Sequence, residues 1–261
     1  MMPVAKLFFT PCNHQPQFST SLFKHARVSP FQVPPPWKTV SVSTAMADTQ
    51  KKPTTRVVEH IVLLKVKDGV TAQQQDFMVS GLRSLSSIQT VIELNAGKAV
   101  QVWGENFTHA LHCRFISKEG LASYANDPFH LDVISKCIAP FVEDRLALDW
   151  EADLEEPTLQ SKSYGAVRIA ALKPKKDALE LSDIMDMLRD YRSRFPSIKQ
   201  VSVGKNFSPA RAKGYEWAFL AIFPRPEELA ELTKSEEHVS LQYEKVLPAM
   251  EKIAVLDYHT A

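Results

Sequence analysis

His60-Ile61-Val62-Leu63-Leu64-Lys65 returns as Arg168-Ile169-Ala170-Ala171-Leu172-Lys173, so one strand-like run is written twice at an offset of 108 residues. Phe115 and Phe223, His130 and His238, Pro140 and Pro248, and Leu148-Asp149 and Leu256-Asp257 keep that 108-residue offset, whereas Gly97-Lys98 and Gly204-Lys205 sit at 107. One small insertion or deletion explains the slip. A period of this length is a whole domain per copy rather than a solenoid unit, so the chain holds two homologous domains that pack by a shared symmetry.

Each copy reads as strand, helix, strand, strand, helix, strand. In the first, a β-branched and leucine-rich run at 57–66 ends at Lys67-Asp68-Gly69. A helix then opens at Thr71 with Gln74 three residues on, the pattern of a capping box, and carries Phe77, Leu82 and Leu85 inward. Strands follow at 88–98 and 107–116, then a helical region at 119–142 broken at Pro128, then a strand at 145–150. Gly97 and Gly204 look turn-like, which puts Lys98 and Lys205 at solvated strand ends. In the second copy Leu181, Ile184, Leu188, Tyr191 and Phe195 recur at spacings of three and four, the mark of an amphipathic helix. Its strands fall at 165–173, 198–205, 215–223 and 253–258.

A four-stranded antiparallel sheet with both helices on one side leaves its other face open. Alternation points Ile61, Leu63, Ala110 and His112 one way and His60, Val62, Leu64, His109, Leu111 and Cys113 the other, so neither face is clearly polar. Such a sheet needs a partner, and the adjacent copy is present at high effective concentration. The two domains are expected to close into one barrel.

The N-terminal stretch has a different character. The first acidic residue is Asp48, although Lys6, Lys24, Arg27 and Lys38 precede it among many Ser, Thr and Pro residues. An acid-free, Ser-rich, basic stretch with short, Pro-broken apolar runs resembles an organelle transit peptide more than a secretory signal. Ser19, Thr20, Ser21 and Ser29, and the small-residue exit Ala45-Met46-Ala47, favour the chloroplast. A start at Met46 would give a cytosolic product, and a peroxisomal address would need a signal other than His259-Thr260-Ala261. Removing the stretch leaves 27 basic against 30 acidic residues, which does not attract a phosphate backbone. Cys113 and Cys137 have no ligand-like spacing and suit buried, reduced thiols. The chain thus divides into a leader at 1–47, a linker at 48–55, a first domain at 56–152, a linker at 153–163 and a second domain at 164–259.

His60-Ile61-Val62-Leu63-Leu64-Lys65, Gly97-Lys98, Phe107-Thr108-His109, Tyr124, Pro128-Phe129-His130 and Leu148-Asp149-Trp150, in that order and largely repeated, resemble the plant stress-responsive dimeric α/β-barrel domains. The resemblance implies an α+β fold of two ferredoxin-like βαββαβ domains whose antiparallel sheets face each other as an intramolecular pseudo-dimer. It also implies a link to abiotic stress or defence, which with the leader gives a plastid stress-response protein, non-catalytic or binding a small ligand. More distantly the chain is similar to olivetolic acid cyclase, whose Tyr and His, six residues apart, match Tyr124 and His130. First- and third-strand histidines near that cyclase's pocket match His60 and His109 by motif. The alternative implied is therefore a polyketide-cyclase-like lyase with aldol-type or enolisation chemistry in the first-domain pocket. The second copy keeps His238 but has Leu232 for the Tyr, Arg168 for the first-strand His and Trp217 for the third-strand His, so His238 is expected to be structural.

The residues themselves are compatible with either expectation. Asp127 followed by Pro128 is an N-cap and first-turn pair that puts His130 at the third helical position, and Ser235 does the same for His238. An imidazole at the positive end of a helix stays neutral and can accept a proton, while Tyr124 could hydrogen-bond a carbonyl or enolate. The same histidines could equally cap the helix or bond the sheet. Trp103, Trp150 and Trp217 read as packing aromatics. His60 and His109 lack a third donor for a metal, and no cofactor motif occurs. The expected partners are a small apolar or aromatic ligand, the other half of the chain and a second copy as a homodimer, with no nucleic acid and no membrane.

Overall fold

The computed structural model describes residues 53–155 and 164–260. The leader read at 1–47, and most of both linkers, lie outside the described residues. The first copy begins with β1 (Thr55–Val66), and Gly69, at φ +80°, turns the chain into α1 (Ala72–Ser84). The expected capping box is present: Thr71 Oγ1 accepts from Gln74 N at 3.3 Å and Gln74 Oε1 accepts from Thr71 N at 2.9 Å. Met78, Leu82 and Leu85 form the inward face, whereas Phe77, expected among them, is 53% exposed. Helical geometry explains the correction, because Met78 lies four residues before Leu82 and seven before Leu85, in line with both, while Phe77 is one step of about 100° off.

β2 (Glu93–Trp103), β3 (His109–Phe115), α2 (Lys118–Asn126), α3 (Pro128–Val133) and β4 (Val142–Leu154) complete the copy, with a π-helical turn at Ile134–Ile138 after α3. β4 runs through Asp153, which takes two 3.0 Å bonds from Arg56, to buried Leu154, so both residues belong to the strand. The second copy is β5 (Ala166–Pro174), α4 (Leu181–Arg189), α5 (Tyr191–Arg194), β6 (Gln200–Lys205), β7 (Trp217–Phe223), α6 (Pro226–Lys234), α7 (Glu236–Leu241), α8 (Leu247–Ala249) and β8 (Met250–His259). A second π-helical turn, Gln242–Val246, follows α7 where the repeat requires it.

The eight strands of the described residues join one antiparallel sheet in the order β4-β1-β3-β2-β8-β5-β7-β6, nearly closed into a barrel. The copies meet at two seams. At one, β2 and β8 form a ladder in which Val102 faces Leu256 and Trp103 faces Val255. At the other, β6 stops at Lys205 and a loop replaces the ladder: Phe207 N donates to Asp149 O and Asp149 N to Asn206 Oδ1, both at 2.9 Å. Ile61, Leu63 and Ala110 of the first copy share one core with Val167, Ile169 and Leu220 of the second. That core is the barrel interior, on the face that alternation assigned to Ile61, Leu63, Ala110 and His112. Leu64, Leu111 and Cys113 instead pack under the helices with Met78 and Tyr124.

The repeated glycines are not turn residues. Gly97 lies within β2 and Gly204 within β6, each beneath an aromatic ring from the last strand of the other copy. A Cβ on Gly97 would stand 2.7 Å from Tyr258 Cδ2, and one on Gly204 would stand 2.7 Å from Trp150 Cγ and closer still to Cδ1. Trp150 and Tyr258 are themselves equivalent positions of the repeat. A side chain is excluded at both places because the symmetry of the pair brings a ring there, which is why glycine recurs.

Charge is also built into the interior, mostly from the first copy. Glu59 accepts from Arg114 at 2.7 and 3.0 Å and from His112 at 2.8 Å, and Arg114 reaches across to Gln200 at 2.8 Å. Burial pushes the Glu59 carboxyl up, but Arg114 and His112 outweigh it and hold it down at about 2. Val167, Leu220 and Ile222 stand at the matching positions of the second copy. The two open faces therefore differ, and a like-with-like pairing of first domains would set two such buried charge clusters against each other.

Candidate functional site

His60 on β1 has Asp149 of β4 directly opposite on one side and Cys113 of β3 on the other. Strand pairing alone thus lines up Asp149, His60 and Cys113 in one row on the face beneath the helices. His60 Nδ1 donates to Asp149 Oδ1 at 2.5 Å. Above that row, α2 lowers Tyr124 onto Phe115 and His60, with ring centroids 5.1 and 6.2 Å away. The chain then breaks at Asp127, which caps α3 by accepting from Phe129 N at 2.8 Å, and the first turn of α3 stacks His130 on Tyr124 at 4.4 Å between centroids. His60 is thus a neighbour of Tyr124, 64 residues further along the chain, and Tyr124 of His130.

Their chemistry is that of a packed layer. Tyr124 is 1% exposed and its hydroxyl lies 3.8 Å from the Cys113 thiol. Burial raises the pKa of both groups. Burial lowers that of His130 despite a bond to the Ala125 carbonyl, which keeps the ring neutral, and its Nδ1 has no partner. Burial also pushes the Asp149 carboxyl up, but His60, and then Arg211, bring it below the ordinary range. Arg211 arrives from the second copy and donates to Asp149 Oδ2 at 3.0 Å. An aspartate, two histidines and a tyrosine could in principle relay a proton, but the tyrosine hydroxyl is turned onto a buried thiol.

His238 sits in a different network. Arg168 replaces His60, donates twice to Asp257 at 2.8 Å, and reaches Thr233 at 2.8 Å and His238 Nε2 at 3.1 Å. Tyr191 holds the other ring nitrogen at 2.9 Å, and Trp103 from the first copy stacks 5.2 Å from the guanidinium. Burial, with Arg168 beside it, lowers the His238 pKa to about 4. In the second copy a guanidinium thus ties Asp257, Thr233 and His238 together where the first copy has an imidazole.

His109 is elsewhere. It faces Leu64 across the strands, four residues along β3 from Cys113, and walls a cleft beside α1 with Lys98 and Arg83. Asp149 and Arg211 were missed in the sequence. Asp149 had a legible signal, since the Leu-Asp pair repeats as Leu256-Asp257 and each acid faces the residue at position 60 or 168. Arg211 had none, because it comes from a loop that the first copy does not share. Among the described residues no group of three or more His, Cys, Asp or Glu side chains is placed to hold a metal, and no helix is long and apolar enough to cross a membrane.

The family model of the stress responsive A/B barrel domain matches residues 58–152 and again 167–260. The chain belongs to the stress-responsive A/B barrel family. It is 32% identical over 244 residues, 92% of this chain and 90% of the relative, to a stress-response A/B barrel domain-containing protein of Arabidopsis thaliana. It is 30% identical to a second stress-response A/B barrel domain-containing protein of the same plant, over 78% of this chain and 96% of that one. Among solved structures an anthrone oxidase-like protein superposes with a TM-score of 0.54 at 11% identity, covering 81% of this chain and 92% of the other, a likeness of fold alone. In this A/B barrel both copies of the domain join one sheet within a single polypeptide.

Proposed function

We propose that this A/B-barrel protein is a non-catalytic, small-ligand-binding component of plastid responses to abiotic stress or attack. The observation that carries this reading is the state of the Tyr124–His130 cluster: the tyrosine is buried, its hydroxyl faces Cys113, and the barrel interior beneath is filled by side chains from both copies. A substrate needs reacting groups it can touch, and fold alone supplies no reaction. The plastid address rests on the acid-free, Ser-rich leader.

A second reading, a cyclase-type lyase, draws on the 4.4 Å stack of Tyr124 and His130 beside the His60–Asp149 pair. The two readings separate on turnover. Incubated with a linear poly-β-ketoacyl thioester, the chain lacking residues 1–47 is expected to release no cyclised product beyond the spontaneous rate. Product formation that disappears in His130→Ala and Tyr124→Phe would establish the lyase instead. Residues 1–55 fused to a fluorescent reporter are expected to direct it to plastids, and a cytosolic signal would defeat that part of the proposal.

A further inference from the structure

We propose that the cleft between α1 and β2 of the first domain binds a small hydroxylated carboxylic acid, with Lys98 at its acid end and Gln75 and His109 at its hydroxyl. The cleft measures about 410 Å³ and is walled by Gln75, Asp76, Val79, Arg83, Lys98 and His109. That volume is within the range of small-molecule sites.

Two buried polar atoms without a partner belong to this wall. Gln75 Nε2 donates to Val70 O at 3.0 Å, which fixes the amide and leaves Oε1 buried with no partner. His109 is 1% exposed, with Nδ1 2.9 Å from Thr108 Oγ1. That hydroxyl accepts from Val66 N at 3.0 Å, and Leu64 O, 3.2 Å away, already accepts from Thr108 N at 2.8 Å. Whichever of Thr108 Oγ1 and Nδ1 carries the proton between them, Nε2 is buried and unpaired. Burial, and then Lys98, lower the ring's pKa to about 4 and keep it neutral. Buried polar atoms are nearly always paired, and two unpaired ones on one cleft call for a ligand group that both donates and accepts, as a hydroxyl does.

Charge specifies the rest. Lys98 is exposed and has no ion-pair partner among the described residues, while Arg83, tied to Ala96 O at 2.8 and 3.0 Å, adds a second positive group. Asp76 on the same wall opposes a multiply charged ligand, which favours a monoanion, and Val79 offers an apolar flank. The second copy has no such site, because Trp217 stands where His109 does and leaves Lys205 without a polar ring beside it. The site is also separate from the Tyr124–His130 cluster, four residues along β3 from Cys113, or roughly 13 Å. It gives chemical content to the small-ligand reading above and rests on it.

The test is calorimetric titration of the full chain with 4-hydroxybenzoate, using benzoate and phenol as comparators. The hydroxy acid is expected to bind, with benzoate and phenol each about tenfold weaker, since each lacks one anchoring group. Lys98→Met and Gln75→Leu, both off the apolar core, are expected to weaken it about tenfold, while Lys205→Met, the matching lysine of the second copy, leaves it unchanged. Nitrogen NMR of the unsubstituted protein should show the His109 Nε2 resonance shift on binding, a readout that needs no variant to fold. Absence of heat and of that shift at about 10 mM ligand, or equal affinity in the Lys98→Met variant, would overturn the proposal. His130-dependent turnover would defeat the non-catalytic reading and leave this result standing, so the two failures are distinguishable.

Discussion

Gly204→Ala adds one methyl group to β6 at a place where a ring of the first copy lies directly over the strand of the second. The new carbon would stand 2.7 Å from Trp150 Cγ and 2.8 Å from Cβ, and closer still to Cδ1, against an ordinary contact of 3.4 to 4 Å. Trp150 is fully buried and cannot swing away freely, because its indole nitrogen donates to Ser202 Oγ at 2.8 Å and its ring belongs to the shared core. Either the ring leaves its rotamer or β4 and β6 move apart. Overpacking of this kind costs about 1–3 kcal/mol, and an overlap with three atoms of one side chain belongs at the upper end. For a folded unit of this size that is a fall of about 6–12 °C in melting temperature. The assay is urea unfolding followed by tryptophan fluorescence, with Gly204→Ala/Trp150→Leu as the compensating double variant. The smaller leucine should remove the clash, so alanine at 204 costs less in that background than beside tryptophan. A Gly204→Ala protein within about 0.5 kcal/mol of the parent would refute the reasoning, because it would mean that no ring lies across the glycine.

Other consequences follow from the buried charges. Arg168→Ala strips Asp257, 1% exposed, of both guanidinium bonds and is expected to cost about 3–5 kcal/mol in urea unfolding. A loss below about 1 kcal/mol would show that the carboxylate is not held as described. His109 and His238, both lowered to about 4 by burial and then by a neighbouring cation, link stability to pH. The unfolded chain takes up protons as pH falls below about 6.5 while the folded rings resist until about 4, so stability is fully present above that window and lost on descending through it, by at most about 3 kcal/mol per ring. Proton NMR should place both midpoints below about 5, and midpoints near 6.5 would contradict the packing. Arg211→Ala should cost about 1 kcal/mol, since Asp149 keeps His60, and equilibrium unfolding checks it.

The fold was legible because repetition and alternation act along the chain. The recurrence of the His60 run gave two domains, and period two placed Ile61, Leu63 and Ala110 on the barrel side before any partner was known. What failed depends on the partner itself. Gly97 and Gly204 look like turn residues in isolation and become strand residues only when Tyr258 and Trp150 of the opposite copy are laid over them. Phe77 was a local error of helical phase. At the site, the neighbourhood of His60, Tyr124 and His130 follows from strand register and the break at Pro128, but the direction of the Tyr124 hydroxyl does not, since it depends on Cys113 and on side-chain packing. His109 shared a motif with His60 and yet occupies another cleft, because equal facing on a sheet does not mean equal position along the strand.

The closure of the two copies through their sheets is tested most directly by nuclear Overhauser spectroscopy on the folded chain. Cross-peaks are predicted between the Gly204 Hα and the Trp150 indole protons, and between the Gly97 Hα and the Tyr258 ring. Absence of both pairs in a folded protein with assigned strands would contradict the barrel.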